Sequence, residues 1–568
     1  MKNQIKTLRD VVLINGEKYA KNVAIMEKRD SKKEFINYTY ADLKEDTIDL
    51  ATALITKYKL YNKKVAIIGE NSYKWFVSYM AVTSATGIVV PLDKELPENE
   101  IVNLLVRSKA EAIIYSSRKE EYINNLKDKV PTVKHFIEMY SDEANMDIID
   151  KTYESVIKEG RELRVSGDDS YEKADVKAED FRVLLFTSGT TSDAKGVKIS
   201  HKNILSNVES APVLMPITPK DRFFSVLPIH HTYESTVTYM YAIYSGASVA
   251  VCQGLKYISK NIQEVSPSII VSVPLLIDKI YKKILKTVDE KGKTKMVFKA
   301  IKITDSLQKV GIDCKKAIFK EIHDNLGGNL KYVLTGSAPM DPEVIKGFEA
   351  FGFKVLQGFG LTETAPLVCA TTYKNRKPGT IGKAIECSKA KLFDVNEEGV
   401  GEIITKGPNV MLGYYENEEK TNEVIIDGWF HTGDLAYQDK KGNFYLCGRA
   451  KNVIVTKNGK KIFPEELEGL VNNIPEVEQS LVYEKENEED PLDPAVGVIV
   501  TLDEEYIKEK YGKTRPSNEV LEEKIWKDIK DINRTLVPYK AMKNLKIKEG
   551  EFETTTTMKI KRFAEVKK

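Results

Sequence analysis

Cysteine is scarce in this chain: Cys252, Cys314, Cys369, Cys387 and Cys447 are the five among 568 residues. They are scattered, odd in number and without CxxC or Cys/His ligand spacing, which argues against a disulfide framework and a zinc site alike. Reduced core thiols are expected. Long apolar runs are also missing. No segment approaches the ~20 apolar residues of a membrane span. The opening MKNQIKTLRDVVLINGEKYAKN carries charges where an export signal needs an unbroken apolar stretch. The expectation is a cytoplasmic protein without a spanning segment. Charge of one sign is lacking too: 86 Lys and Arg face 84 Asp and Glu, a formal net charge of +2. That balance lacks the basic excess of a nucleic-acid binder and leaves small molecules as the expected partners.

What is present is length and a core. At 568 residues, 42% of them hydrophobic, the chain exceeds the size at which one core stops growing, so subdomains or several domains are expected. Val65 to Ile68 reads as a buried strand, Ser72 to Thr83 as a helix, Gly87 to Val90 as a strand, Glu98 to Arg107 as a helix and Ala112 to Tyr115 as a strand. Such alternation predicts an α/β fold with parallel sheets covered by helices. Ser225 to Leu227, Ser268 to Val273 and Leu330 to Thr335 extend the series. From about residue 377 to 450, short strands divided by glycines predict a β-rich, barrel-like subdomain of a large domain spanning 1–450. Residues 451–568 are expected to form a small α+β domain, with a hairpin turning at Asn458 and Gly459, a helix from Pro464 and a long last helix near Ser517 or Asn518. The lysine- and aspartate-rich stretch 282–328 reads as amphipathic surface helices with no assigned function.

Directly after the apolar run Val183 to Phe186 comes TSGTTSDAKG, residues 187–196. Small hydroxyl residues, glycines and a lysine after a strand suit phosphate oxygens, because amides and hydroxyls donate hydrogen bonds and lysine supplies a point charge. The Walker pattern does not fit: counted from Gly189 it needs glycine where Ala194 stands and Ser or Thr where Gly196 stands. The GFG at 358–360 is not a dinucleotide fingerprint either, since Glu363 stands where the third glycine belongs.

Six segments in order carry more weight together: residues 187–196, GSAPM (336–340), QGFGLTET (357–364), FHTGD (430–434), GRAKNVI (448–454) and TTTTMKIKR (554–562). Their sequence and spacing resemble the acyl-adenylate-forming superfamily of acyl-CoA synthetases, luciferases and adenylation domains, over essentially the whole chain. PLDKELP (91–97), LPIHHTYE (227–234) and KPGTIGKAIE look most like its long-chain fatty acyl-CoA ligase branch.

The resemblance implies an ATP- and Mg²⁺-dependent ligase with a large AMP-binding domain and a mobile C-terminal domain. A fatty acid would be adenylated with loss of pyrophosphate, and CoA would then displace AMP. A carrier-protein acceptor, an aryl or shorter acid, and an inactive nucleotide- or lipid-binding module are the alternatives. By resemblance Thr187, Ser188, Gly189, Thr190, Thr191 and Lys195 hold the β- and γ-phosphates, Glu363 holds Mg²⁺, and Thr362 touches the α-phosphate. Gly336, Ser337 and Ala338 line the adenine slot together with Gln357, Gly358, Phe359 and Gly360, and Phe359 stacks on the base. Asp434 receives the ribose hydroxyls with Arg449 nearby. Lys559 is the mobile cation, selected over Lys561 and Arg562 by the register of TMKI. Lys451 is the hinge, and Asn458 and Gly459 shape a CoA channel. His231 gates or orients the carboxylate, while His230 and His431 fit a packed or a catalytic role equally. Val237 to Ile243 fits an acyl tunnel or plain core packing. Ser192, Ala194, Phe359 and Met558 depart from the residues commonest in the family. A water-insoluble acid makes peripheral membrane contact natural, but no strongly amphipathic basic helix is apparent to carry it.

Overall fold

The computed structural model describes residues 5–116, 123, 126, 128–140, 151–187, 194–485, 494–512, 514–555 and 559–566. Its core strands form because runs of Val, Ile and Phe are buried on both faces, the pattern of helix-covered parallel sheets. Ala112–Tyr115, Ser248–Val251 and Ile269–Ser272 are buried at every position. Helices begin where short polar side chains cap the first turn. Thr39 with Asp42, and Ser200 with Asn203, close reciprocal capping boxes ahead of Tyr40–Thr56 and His201–Leu214.

The described residues divide into two compact units: those of 5–187, 194–390 and 405–430 form one, and those of 391–404 and 431–566 the other. The first holds two large sheets. A nine-stranded sheet runs Lys383–Ala384, Leu367–Ala370, Lys354–Gly360, Tyr332–Thr335, Ile269–Ser272, Arg222–Ser225, Ser248–Val251, Val23–Glu27 and Ile36–Thr39. Its interior from Lys354–Gly360 to Val23–Glu27 is parallel, and antiparallel strands flank it on both sides. An eight-stranded sheet runs Gly413–Tyr414, Gly196–Ser200, Phe181–Phe186, Gly87–Leu92, Lys63–Ile68, Ala112–Tyr115, His135–Glu138 and Lys151–Thr152. The α/β fold with parallel sheets in a large N-terminal unit and a smaller C-terminal unit is as expected.

In the second unit, Val477–Lys485, Ala495–Leu502 and Met542–Ile547 form a three-stranded sheet. Pro464–Val471 and Asn518–Thr535 supply Leu467, Val471, Ile525 and Ile529 to its core. The predicted hairpin is present: Ile454–Val455 pairs antiparallel with Lys461–Ile462, and Gly459 takes a positive φ of 72° in the turn.

Three details differ from the sequence reading. The strand expected at Ser225 to Leu227 lies three residues earlier, at Arg222–Ser225. Val226 and Leu227 leave the sheet because Asn71 holds this exit: its Nδ2 donates to Ser225 Oγ (2.9 Å) and Leu227 O (2.6 Å), and Ile229 N–H donates to its Oδ1 (3.0 Å). Residues 405–430, expected in the β-rich subdomain, cluster with the first unit, since Gly413–Tyr414 adds an edge strand beside Gly196–Ser200. The division between units also does not fall at 450, as residues 431–450 cluster with the C-terminal residues.

Candidate active site

The hydroxyl-rich stretch falls between two paired strands. Phe181–Phe186 and Gly196–Ser200 pair antiparallel with Phe186 opposite Gly196, and Thr187 N–H donates to Lys195 O at 2.9 Å, extending the pairing by one step. Ser188, Gly189, Thr190 and Thr191 lie outside the described residues. Thr187 and Lys195, on either side of them, are described and half-buried.

Lys195 meets a residue that the sequence reading had not marked. Its Nζ stands 5.2 Å from the centroid of the Tyr414 ring, within cation–π range. The Tyr414 hydroxyl in turn donates to Glu363 Oε1 at 2.9 Å, so one tyrosine links the phosphate-loop lysine to the expected metal carboxylate. The register explains the meeting. Tyr414 pairs opposite Val197, Tyr415 N–H donates to Gly196 O (2.6 Å), and Met411 N–H donates to Glu363 O (2.8 Å).

Glu363 rides on the single turn Thr362–Thr364, directly after strand Lys354–Gly360. Asn207, on helix His201–Leu214, clamps this turn by donating to Thr364 O (3.0 Å) and accepting from Leu367 N–H (2.9 Å). Gly360 has to be glycine: a Cβ there would lie 1.8 Å from Pro366 O. Thr362 is half-buried beside Glu363, and Phe359 is 7% exposed on the same strand, opposite Cys369. Gly336, Ser337 and Ala338 follow the neighbouring parallel strand Tyr332–Thr335. A Cβ on Gly336 would come within 3.2 Å of Gly358 O and 3.3 Å of the Tyr233 hydroxyl. Sequence positions 336 and 357–363 are thus brought together at the carboxyl ends of adjacent parallel strands, where open α/β sheets bind ligands.

An apolar cavity opens against these strand ends, leaving about 40 Å³ to the centre of a water-sized sphere. Gln357 and Gly358 line it on the strand side, Val208 and Ala211 on one helix, and Tyr233, Val237 and Tyr241 on another. Of the stretch 237–243, then, Val237 and Tyr241 line a cavity, while Ala242 and Ile243 are packed in the core. The wall segment Tyr233–Met240 is a π-helix, a geometry that recurs at functional sites. Behind it Glu234 is buried. Desolvation lifts its carboxyl to about 8, against hydrogen bonds from Ser225 and Thr238 that pull the other way.

His231 lies just before this segment, half-buried, its carbonyl accepting from Ser235 N–H at 2.9 Å. The rings of His230 and His231 lie 4.3 Å apart. His230 is buried, and burial drives its imidazole down to about 3, so it is neutral at physiological pH. His431 lies in the second unit with Nδ1 2.7 Å from Glu402 Oε2.

The other expected residues lie in the second unit. Asp434 and Arg449 face each other across an antiparallel pair, with Arg449 Nε 2.8 Å from Asp434 Oδ1. Lys451 sits in the single turn Ala450–Asn452, whose Asn452 donates to Glu465 Oε1 at 2.7 Å. Asn458 and Gly459 form the exposed hairpin tip. Of the three late cations, Lys561 pairs with Glu553 at 2.8 Å, and Arg562 donates to Val482 O at 3.0 Å and pairs with Glu468. Lys559 is exposed, and its carbonyl accepts from Thr555 N–H at 2.8 Å.

Among the described residues no group of three or more His, Cys, Asp or Glu side chains could hold a metal ion. Glu363 therefore belongs to no such group. That fits Mg²⁺, which takes one or two carboxylates, keeps waters and completes its octahedron with substrate phosphate oxygens.

Residues 14–415 match the family described as AMP-binding enzyme, and the chain belongs to it. It is an adenylate-forming acid–thiol ligase by family, of a kind whose members take ATP and CoA as substrates. The long-chain fatty acyl branch is supported by its relatives. The chain is 26% identical over 547 residues to the Arabidopsis thaliana chloroplastic long-chain-fatty-acid–[acyl-carrier-protein] ligase AEE15, covering 84% of this chain and 74% of that one. It is also 26% identical over 528 residues to the peroxisomal long chain acyl-CoA synthetase 7 of the same plant, covering 89% and 75%. Among solved structures, ATP-bound MatB from Rhodopseudomonas palustris superposes with a TM-score of 0.75 at 21% identity, over 98% of each chain. Anthranilate CoA ligase AuaEII with anthranoyl-AMP gives 0.77 at 18% identity, over 99% and 96%. These two establish the fold. No helix among the described residues is long and apolar enough to cross a membrane.

Proposed function

We propose that the chain is an AMP-forming long-chain fatty acyl-CoA synthetase. The observation that carries this reading is the line Lys195, Tyr414, Glu363, together with an apolar cavity lined by Gln357 and Gly358 of the strand that leads to the Glu363 turn. A cation and a metal-binding carboxylate suit a triphosphate, and an apolar slot between helices suits an alkyl chain. In the first half-reaction a carboxylate oxygen attacks the α-phosphorus of ATP and the bond to the β-phosphate oxygen breaks, giving acyl-AMP and pyrophosphate. In the second, the CoA thiol, losing its proton, attacks the acyl carbon, and AMP departs with the bonding electrons.

Thr187, Lys195 and the loop residues Ser188, Gly189, Thr190 and Thr191 bind the departing pyrophosphate. Glu363 holds Mg²⁺, which when bound offsets charge on the phosphate oxygens. Thr362 donates toward the α-phosphate. Gly336, Ser337, Ala338 and Phe359 receive the adenine, and Asp434 with Arg449 the ribose. His231 orients the carboxylate. Lys559 supplies the second cation in adenylation, and a swing about Lys451 replaces it by the Asn458–Gly459 hairpin for thioester formation.

The test is ATP–pyrophosphate exchange across saturated acids of increasing length, with aryl acids as controls. Exchange that strengthens with chain length supports the proposal. Exchange only with aryl or short acids replaces the substrate, and none with any carboxylate sinks the reaction. The similarity to the AEE15 ligase, named for acyl-carrier protein, favours a second reading in which the acceptor is a carrier-protein phosphopantetheine. Product analysis with free CoA against holo carrier protein separates the two.

A further inference from the structure

Helix Thr294–Lys309 packs inward through Val297, Ala300 and Ile301 against the core that also holds helix Pro274–Glu290. A second apolar stripe on it is left exposed among the described residues. Met296, Ile303 and Val310 recur every seven residues, hence on one helical face, and are 59%, 49% and 72% exposed. Phe298 on the opposite flank and Ile312 just beyond the helix are 55% and 54% exposed. Between these flanks, on the outermost surface, stand Lys295, Lys299 and Lys302, with Lys309 near the end, all exposed.

From Thr294 to Ile318 there are six lysines against two aspartates. One of those aspartates, Asp305, is already paired with Lys315 at 2.8 Å. Contiguous exposed apolar residues on a soluble surface mark an interaction site. The sequence reading found no strongly amphipathic basic helix, because the helix shows one apolar face to the core and a second, interleaved with lysine, to solvent.

We infer that this helix and the turn after it dock peripherally on an anionic lipid surface. Met296, Ile303, Val310 and Ile312 enter the boundary between headgroups and acyl chains, and Lys295, Lys299, Lys302 and Lys309 lie among the headgroup phosphates. The charge decides for lipid over a second copy of the chain: two such faces would set like charges against each other. Each lysine beside an anionic surface strengthens binding about fivefold, and the apolar side chains add to this by burial. The inference does not depend on the proposed reaction, since the face contains none of the residues assigned to it.

The experiment is co-sedimentation of the full chain with phosphatidylcholine vesicles, with and without about a third phosphatidylglycerol. Binding to the anionic vesicles, falling with added salt, is expected, and at least tenfold weaker binding to phosphatidylcholine alone. Met296→Ser with Ile303→Ser and Val310→Ser, and separately Lys299→Glu with Lys302→Glu, should each weaken it tenfold or more. Unchanged circular dichroism and unchanged pyrophosphate exchange would show both variants folded. No sedimentation with anionic vesicles overturns the inference, as does binding indifferent to both variants. A dimer that the serine variant converts to monomer overturns it in favour of a second copy.

Discussion

Tyr414 joins two charged residues that the sequence places far apart. Its hydrogen bond to Glu363 spans 51 positions, and the stretch PNVMLGYY around it reads from sequence only as glycine-divided strand. No motif marks it; the pairing of Tyr414 opposite Val197, which no local pattern announces, brings it to the site. A hydrogen bond to a charged acceptor contributes about 1.5 kcal/mol, close to tenfold in rate or affinity. Tyr414→Phe keeps the ring under Lys195 and removes only the hydroxyl. Exchange should fall about tenfold, with the Mg²⁺ concentration for half-maximal rate raised; unchanged Mg²⁺ dependence would leave the hydroxyl no part in orienting Glu363.

His201 lies just beyond the hydroxyl-rich segment in sequence, but its burial could not be read there. It is fully buried, its Nδ1 accepts from Leu8 N–H at 3.2 Å, and burial drives its imidazole from 6.5 down to about 3. The folded chain therefore refuses a proton that the unfolded chain accepts. No stability is lost above pH 6.5; below it the loss grows by about 1.4 kcal/mol per pH unit until about pH 3. His201→Asn keeps an acceptor for Leu8 and cannot titrate. Urea unfolding between pH 7 and 4.5 should show a shallower decline for this variant, and an identical slope would place the acid sensitivity elsewhere.

At the scale of elements, periodicity announced most of the fold. The strand at Ala112 to Tyr115 and the hairpin at Asn458–Gly459 sit where alternation and turn chemistry put them, because local preference and tertiary packing agree there. Legibility failed where a distant side chain decided the outcome, as with Asn71 ending the strand Arg222–Ser225 early. It also failed to choose between tunnel and core for 237–243, since both demand apolar residues at helical spacing. The π-helix Tyr233–Met240 gives a split answer: Tyr233, Val237 and Tyr241, four apart, share the cavity face, while Glu234 and Thr238 turn inward and hydrogen-bond to each other at 2.8 Å. Val237→Phe adds volume to that face alone. The KM for long acids should rise by tenfold or more while the shortest accepted acid is little affected, because overpacking acts only where the alkyl chain would lie. Equal losses for all lengths would mean the cavity is not where the acid binds.

For the whole molecule, the expected site residues divide between two compact units: Thr187, Lys195, His231, Gly336 and Glu363 in one, Asp434, Arg449, Lys451 and Lys559 in the other. The six ordered segments revealed the family because their chemistry is local to each. The choice of Lys559 among the late cations came only through register against that family. Physical surroundings bear on its rivals: Lys561 and Arg562 are tied to Glu553 and Glu468, so using either would break a pair that holds the end of the chain. Removing a cation that acts only while negative charge builds on the α-phosphate should affect that step alone. Lys559→Ala should lower pyrophosphate exchange by about 10²-fold or more and leave thioester formation from preformed acyl-AMP within about twofold of the parent. Lys561→Ala should leave both half-reactions near normal while lowering the unfolding midpoint slightly. Equal loss of both half-reactions in Lys559→Ala would show a structural role for the lysine, and the selective loss in Lys561→Ala would move the assignment two residues along the chain.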